Sequence, residues 1–278
     1  TFFVIEASSF QLSHSKFIKP NYAILLNITN DHLDWHGSMG EYVRSKFKIF
    51  KLQTKNNFAL INKNFVKAFD KKKYLSKLIT PKFTSYKKIK LLINNNYLSS
   101  KINDENMSFV FSLSRLLKIK DKRFISSMKT FIGLPHRHEI FLKKKNIKFI
   151  NDSKATSFQA TNLALSFSKN IFWIVGGRPK KNDKINLNNV KNNIIKSYII
   201  GKHTNFFKKR LKNKIKFSIT KNLKNSIISI IKDTKSFRNV NTTILLSPGA
   251  ASFDQFKNFE TRGDQFKKMS RLYAKKLI

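Results

Sequence analysis

Short apolar runs alternate along this chain with longer stretches in which apolar residues recur every three or four positions, the mark of an α/β protein with mostly parallel strands. Residues 1–7 read as a buried strand, and residues 22–28 and 57–61 as two more. Residues 38–52 read as a helix opened by Ser38, with Glu41 three positions on in the spacing of a capping box. Residues 104–118 and 122–131 read as helices. Gly133-Leu134-Pro135 then interrupts the pattern and divides a domain over 1–132 from a domain over 133–278. Past that break the alternation resumes, with strands at 148–151, 171–175, 197–200 and 243–246 and helices at 157–168 and 262–276. The strand at 171–175 runs into Gly176-Gly177 and the one at 243–246 into Ser247-Pro248-Gly249. These endings matter because open α/β sheets bind ligands just beyond their strand carboxyl ends.

Length and composition narrow the picture. The 278 residues, 41% of them hydrophobic, suffice for two compact domains with real cores. No apolar run approaches the roughly 18 residues of a membrane span, so no membrane is expected as a partner. With no cysteine, disulfides, thiolate metal sites and thiol chemistry are excluded, and a cytoplasmic monomer is the simplest expectation. The charge is extreme, with 56 Lys and Arg against 15 Asp and Glu for a net +41. Such a balance suits nucleic-acid binding, yet the basic residues are scattered and accompany abundant Asn, Ile and Phe, as lysine drift in an AT-rich genome produces. No RNP, KH or zinc-finger pattern appears, so no specific nucleic acid is expected, only weak attraction to polyanions.

Four clusters sit where strands end. Glu6-Ala7-Ser8-Ser9-Phe10-Gln11-Leu12 delivers a carboxylate and then hydroxyls, and Asn30-Asp31-His32-Leu33-Asp34 sets an imidazole between two acids. Glu6 and His32 are a plausible pair of magnesium ligands, since a hard cation wants oxygen and tolerates imidazole; each alone is as readily a cap or an ion-pair partner. Gly133-Leu134-Pro135-His136-Arg137-His138-Glu139 is followed by Asn151-Asp152-Ser153-Lys154-Ala155-Thr156. The plain readings there are a solvated turn for the first and a helix N-cap for Asp152-Ser153. The fourth cluster, from Ser247 to Gly263, is rich in small residues that let backbone amides approach an anion.

Taken together and in this order, the SSFQL segment, the GLPHR and NDSKAT pair and the SP-x-AS-x-DQF-x-x-F-x-x-RG segment resemble the Mur ligase family, in its D-glutamate-adding branch. The resemblance covers essentially the whole chain and is weak over 63–101 and 182–242. It implies an incomplete P-loop-type parallel-sheet ATPase domain followed by a Rossmann-like domain. The implied reaction activates a carboxylate of UDP-N-acetylmuramoyl-L-alanine with ATP to an acyl phosphate, which the amine of D-glutamate attacks. Glu6 and His32 would hold Mg2+, and Lys46 matches a lysine that the family carbamylates into a carboxylate-like ligand. Asn106, Arg137 and Asp152 would contact ATP, while His136 and Lys154 would stand at the reaction centre. Thr156, Lys180, Ser252 and the backbone of Phe259 would hold D-glutamate.

Three departures from the family pattern stand out. Phe109 occupies a position where a second Asn is usual, and Arg178 follows Gly176-Gly177 where an acid is common. The chain also has no G-x-x-x-x-G-K-[ST] loop to cradle phosphates, and it begins with Thr1. It is therefore expected to be a piece of a longer ligase, inactive alone. The alternatives are another Mur ligase, or a degenerate, non-catalytic homologue that binds polyanions.

Overall fold

The computed structural model describes residues 2–29, 32–95, 97–98, 103–180, 183 and 185–275. It divides into two compact units, one formed by Thr1–Ser99 with Asn103–Thr130 and the other built on Phe131–Ile278.

In the first unit the chain runs through α1 (Ser9–His14), β1 (Tyr22–Leu25), α2 (Leu33–His36), α3 (Met39–Phe47), β2 (Phe58–Ile61), β3 (Lys77–Ile79), α4 (Phe83–Ile93), α5 (Asp104–Leu116) and α6 (Asp121–Lys129). The strands form one parallel sheet in the order β1-β2-β3, with Tyr22 opposite Phe58 and Phe58 opposite Lys77. Ala59, Leu60 and Ile61 are wholly buried in the central strand, and Phe47, Phe50, Phe69 and Tyr74 pack around it ring on ring. Tyr86, Met107, Phe111 and Phe124 make a second cluster among α4, α5 and α6. Phe109 is 2% exposed, so its helix spends that position on packing.

Two expectations fail in this unit. Residues 2–7 form no strand; Phe2, Phe3, Val4 and Ile5 are 78–98% exposed, because no described strand lies beside them to accept their backbone hydrogen bonds. Thr1 lies outside the described residues. Ser38 does cap α3 through the Glu41 N–H, but the Glu41 carboxylate pairs with Arg44, so the reciprocal half of a capping box is not made.

The second unit contains β4 (Glu139–Lys144), β5 (Ile147–Asn151), α7 (Phe158–Ser166), β6 (Ile171–Gly176), β7 (Ile194–Ile200), α8 (Thr204–Leu211), β8 (Phe217–Lys221), α9 (Leu223–Asp233), β9 (Thr242–Leu246) and α10 (Phe259–Ala274). Its sheet has the order β4-β5-β9-β6-β7-β8, all parallel except the β4–β5 hairpin. Every residue of β6 and β9 is buried, as a strand covered on both faces requires. Trp173, Phe158 and Phe207 fill one face, and Phe172, Tyr198 and Phe266 the other. Each such side chain contributes roughly 1.5–3 kcal/mol on burial. The last helix was expected over 262–276; it begins earlier, at Phe259, because Asn258 caps it through the Thr261 N–H. Lys276 lies outside the described residues.

The topology brings the carboxyl ends of β5, β9 and β6 side by side. Gly176 closes β6 at φ 133°, where a Cβ would stand 2.1 Å from the Ile200 carbonyl oxygen. Only glycine fits there, and the close approach keeps the strand ends level.

Candidate active site

A buried polar cradle occupies those strand ends. Asp152 follows β5 directly and is not a helix cap; the N-cap of α7 is Ser157. Its amide donates to the Leu246 carbonyl at 2.8 Å. Its carboxyl accepts from the His138 N–H at 3.0 Å and from Ser247 Oγ at 2.8 Å. Ser247 Oγ also lies 3.1 Å from Thr161 Oγ1, and the Ser247 carbonyl accepts from Trp173 Nε1 at 2.8 Å. Burial pushes the Asp152 carboxyl up to about 7, against the opposing pull of the Ser247 and His138 hydrogen bonds and the Arg137 charge. Burial, helped by the charge of Lys148, likewise takes His138 down to about 4.

His136 and His138 are buried while Leu134, Pro135 and Arg137 are exposed, so the turn between Gly133 and Glu139 is anchored by its two histidines and only partly solvated. His136 takes a positive φ of 63°, with its N–H on Glu139 Oε2 at 3.0 Å and its carbonyl on the Lys154 N–H at 3.1 Å. Its Nδ1 lies 2.9 Å from Asn151 Nδ2. Arg262, wholly buried, ties the cradle to α10: Nε donates to Ser153 Oγ at 3.0 Å, Nη2 to the Ser153 carbonyl at 2.7 Å and Nη1 to the Ala250 carbonyl at 3.0 Å. Asn151, Glu139 and Arg262 had no role assigned from sequence. Their position inside the quoted motifs was the only available signal.

The expected ligand contacts gather around this cradle. The Lys154 ammonium stands 4.7 Å over the Phe259 ring, and the Phe259 carbonyl accepts from Ser153 Oγ at 2.8 Å. Phe259 is the first residue of α10, so its own N–H has no acceptor within the helix. Ser252 is 2% exposed and lies just past the two-residue bridge in which the Arg178 and Ala251 backbones pair. Thr156 is half-buried between Asp152 and the start of α7, and Arg137 is exposed. Lys180 is half-buried beyond β6, three residues before Asp183, whose carboxylate accepts from the Phe158 N–H at 2.8 Å.

The first unit assembles less. His32 takes a left-handed φ of 59° at the start of α2. Its ring contacts Phe10 at 4.9 Å and Tyr42 at 6.0 Å. Lys46 stands 5.2 Å over that same Tyr42 ring, and its Nζ donates to the Asn27 carbonyl at 3.3 Å. His32 and Lys46 therefore share one aromatic neighbour. Glu6 is exposed in the segment before α1, whose cap is Ser8, and Asn106 is exposed on α5. Among the described residues, no three His, Asp or Glu side chains come together as a metal would need. Asp31 lies outside the described residues.

An open, mostly parallel sheet with buried polar groups at its strand carboxyl ends, preceded by a smaller parallel-sheet unit, defines a two-unit α/β protein. Known proteins narrow this further. Residues 1–132 match the Mur ligase middle domain. The UDP-N-acetylmuramoylalanine--D-glutamate ligase of Rickettsia felis is 32% identical over 99% of this chain and 66% of its own length. That of Rickettsia prowazekii is 34% identical over 97% and 65%. The chain belongs to the Mur ligase family. It spans about two thirds of the length of these relatives. Among solved structures, MurF ligase from Thermotoga maritima in complex with ADP aligns with a TM-score of 0.60 at 14% identity, over 94% of this chain and 64% of that one. UDP-N-acetylmuramate-alanine ligase MurC from the same organism aligns at 0.54, with 13% identity, over 96% and 62%. These two share the fold. No described helix is long and apolar enough to cross a membrane.

Proposed function

We propose that this chain supplies the nucleotide-facing and amino-acid-binding parts of an ATP-dependent ligase that joins D-glutamate to UDP-N-acetylmuramoyl-L-alanine through an acyl phosphate. The observation that carries the reading is the cradle around Asp152, with Lys154, Thr156, Ser252 and Phe259 about it at the strand ends where open sheets receive ligands. Similarity to the Rickettsia ligases supports these substrates. The chemistry needs cations and amides beside a triphosphate, an acyl phosphate and an oxyanion. In this reading Arg137 and Lys154 meet phosphate charge, Asp152 and Asn106 meet the nucleoside, and His136 stands near the reacting carbonyl. Thr156 and Lys180 take the α-carboxylate of glutamate, and Ser252 with the Phe259 N–H takes the other. Magnesium is the part that the described donors do not assemble, since Glu6 and His32 supply two candidate ligands and Lys46 is a third only as a carbamate.

The test uses residues 1–278 alone and the same residues joined behind the N-terminal third of the Rickettsia felis ligase. Residues 1–278 contain no G-x-x-x-x-G-K-[ST] loop, and losing a phosphate clamp costs several kcal/mol, or orders of magnitude in rate. The chain alone should release no phosphate from ATP. The joined protein should release phosphate only with both UDP-N-acetylmuramoyl-L-alanine and D-glutamate present. Release that ignores D-glutamate, or saturable binding of nucleic acid in its place, would overturn the reading in favour of a polyanion-binding homologue.

A further inference from the structure

The hydrogen-bond arrangement around His136 determines where its proton sits. Asn151 is wholly buried, and its side-chain oxygen accepts the Ser153 N–H at 3.2 Å. Its amide nitrogen has two hydrogens and two neighbours, Glu139 Oε2 at 3.1 Å and His136 Nδ1 at 2.9 Å. Turning the amide over would set oxygen against the carboxylate and NH2 against the Ser153 N–H, so the orientation is fixed. Both neighbours must then accept, and a neutral His136 ring that accepts at Nδ1 carries its proton on Nε2. Gly263 leaves room for this contact, since a Cβ there would stand 2.2 Å from His136 Nδ1 and 2.9 Å from Asn151 Oδ1. Glu139 is itself anchored, with Oε2 also accepting the His136 N–H and Oε1 accepting from Lys267 Nζ at 3.1 Å. Lys267 lies 3.3 Å from Asp264, an exposed residue whose Oδ1 is 3.8 Å from His136 Nε2, too far to hold that N–H in a hydrogen bond.

We propose that Asn151 and Glu139 are positioning residues that hold His136 in its Nε2–H tautomer, so that His136 meets a ligand as a hydrogen-bond donor and not as a base. The identity of the group it meets, an oxyanion or a phosphate oxygen, rests on the ligase reading; the tautomer does not. The same loop passes the constraint on, because the His136 carbonyl holds the Lys154 N–H. A donor imidazole and a lysine are thus set from one backbone segment.

The experiment is a long-range 1H–15N correlation of histidine-labelled chain 1–278 at about pH 8, above the ordinary histidine range. The His136 signals are identified by their loss in His136→Gln. A protonated-type Nε2 with a bare-type Nδ1 is expected; an Nδ1–H ring or an averaged pair of tautomers overturns the proposal. In Asn151→Asp the donor becomes an acceptor, so a proton should appear on Nδ1; an unchanged spectrum also overturns it. Should that variant fail to fold, Asn151→Ala should give averaged tautomers, and a retained pure Nε2–H signal would be decisive against. Activity is not read, so a joined ligase that fails to turn over removes the ligase reading and leaves the tautomer standing.

Discussion

The backbone N–H of His138 points its hydrogen at the Asp152 carboxyl at 3.0 Å, and the two side chains are pushed by burial in opposite directions on the pH scale. Asp152 rises from 3.8 to about 7 and His138 falls from 6.5 to about 4. Between about 4 and 6.5 the folded chain therefore holds a proton at Asp152 that the unfolded chain lacks, and lacks one at His138 that the unfolded chain holds.

A raised carboxyl loses stability as pH rises through its window, and a depressed imidazole loses stability as pH falls through its own. In the native chain the two slopes offset. Asp152→Asn should leave the His138 slope exposed, so that its urea midpoint rises with pH relative to wild type between about 4 and 6.5. His138→Gln should do the reverse, its stability relative to wild type falling as pH climbs from about 4 to 6.5. Parallel pH profiles for all three proteins would show that neither group titrates abnormally.

Arg262→Lys should destabilise the second unit severely. The guanidinium serves two carbonyls and a hydroxyl in different directions, and an ammonium on a flexible stem does not reproduce that fork. Breaking a buried charged network by removing a partner costs about 3–5 kcal/mol. Equilibrium urea unfolding followed by Trp173 fluorescence measures it, and a change within about 0.5 kcal/mol would show that lysine finds equivalent acceptors.

Lys46→Ala in the joined ligase should be nearly inactive and partly restored by added acetate. A cationic Lys46 makes a hydrogen bond to the Asn27 carbonyl, which acetate does not replace. A carbamate there supplies negative charge, which acetate does. Full activity in the variant removes Lys46 from the chemistry.

Lys180→Ala should raise the Michaelis constant for D-glutamate roughly tenfold to a hundredfold, as the loss of a charged hydrogen bond of about 1.5–3 kcal/mol implies. The constant for ATP should stay near its original value. Ser252→Ala should cost less, because the first amides of α10 remain. An equal rise for both substrates would place the carboxylate elsewhere, with exposed Arg178, two residues upstream, an alternative cation.

Much of the second unit was legible because β5, β6 and β9 are short runs rich in apolar and β-branched residues that end in turn formers, and burial on both faces of β6 and β9 leaves such runs little freedom. The same rule misread residues 2–5: their run names strand-forming residues but carries no information about a neighbour to pair with. β4 went unseen because Glu139–Lys144 is an edge strand ending in two lysines, and lysine pairs recur elsewhere in the chain. In the site, Asp152 and His136 stood out through their motifs. Asn151 and Glu139 did not, since their meaning lies in which atoms face one another across the β4–β5 pair. With 56 basic residues in the chain, nothing local marks Arg262 as the one wholly buried cation among the described residues.

The place of β9 in the sheet has a consequence for how the protein is made. Thr242–Leu246 inserts between β5 and β6, both of which leave the ribosome long before it. At about 5–20 residues per second, the stretch from Asn151 to Leu246 takes on the order of 5–20 seconds to synthesise. Once Gly176 is made, β5 and the apolar β6 wait with an open edge each, and the cradle lacks Ser247. The nascent second unit is then a natural client for chaperones, and any product cut short before Leu246 is an aggregation hazard with no native sheet to return to.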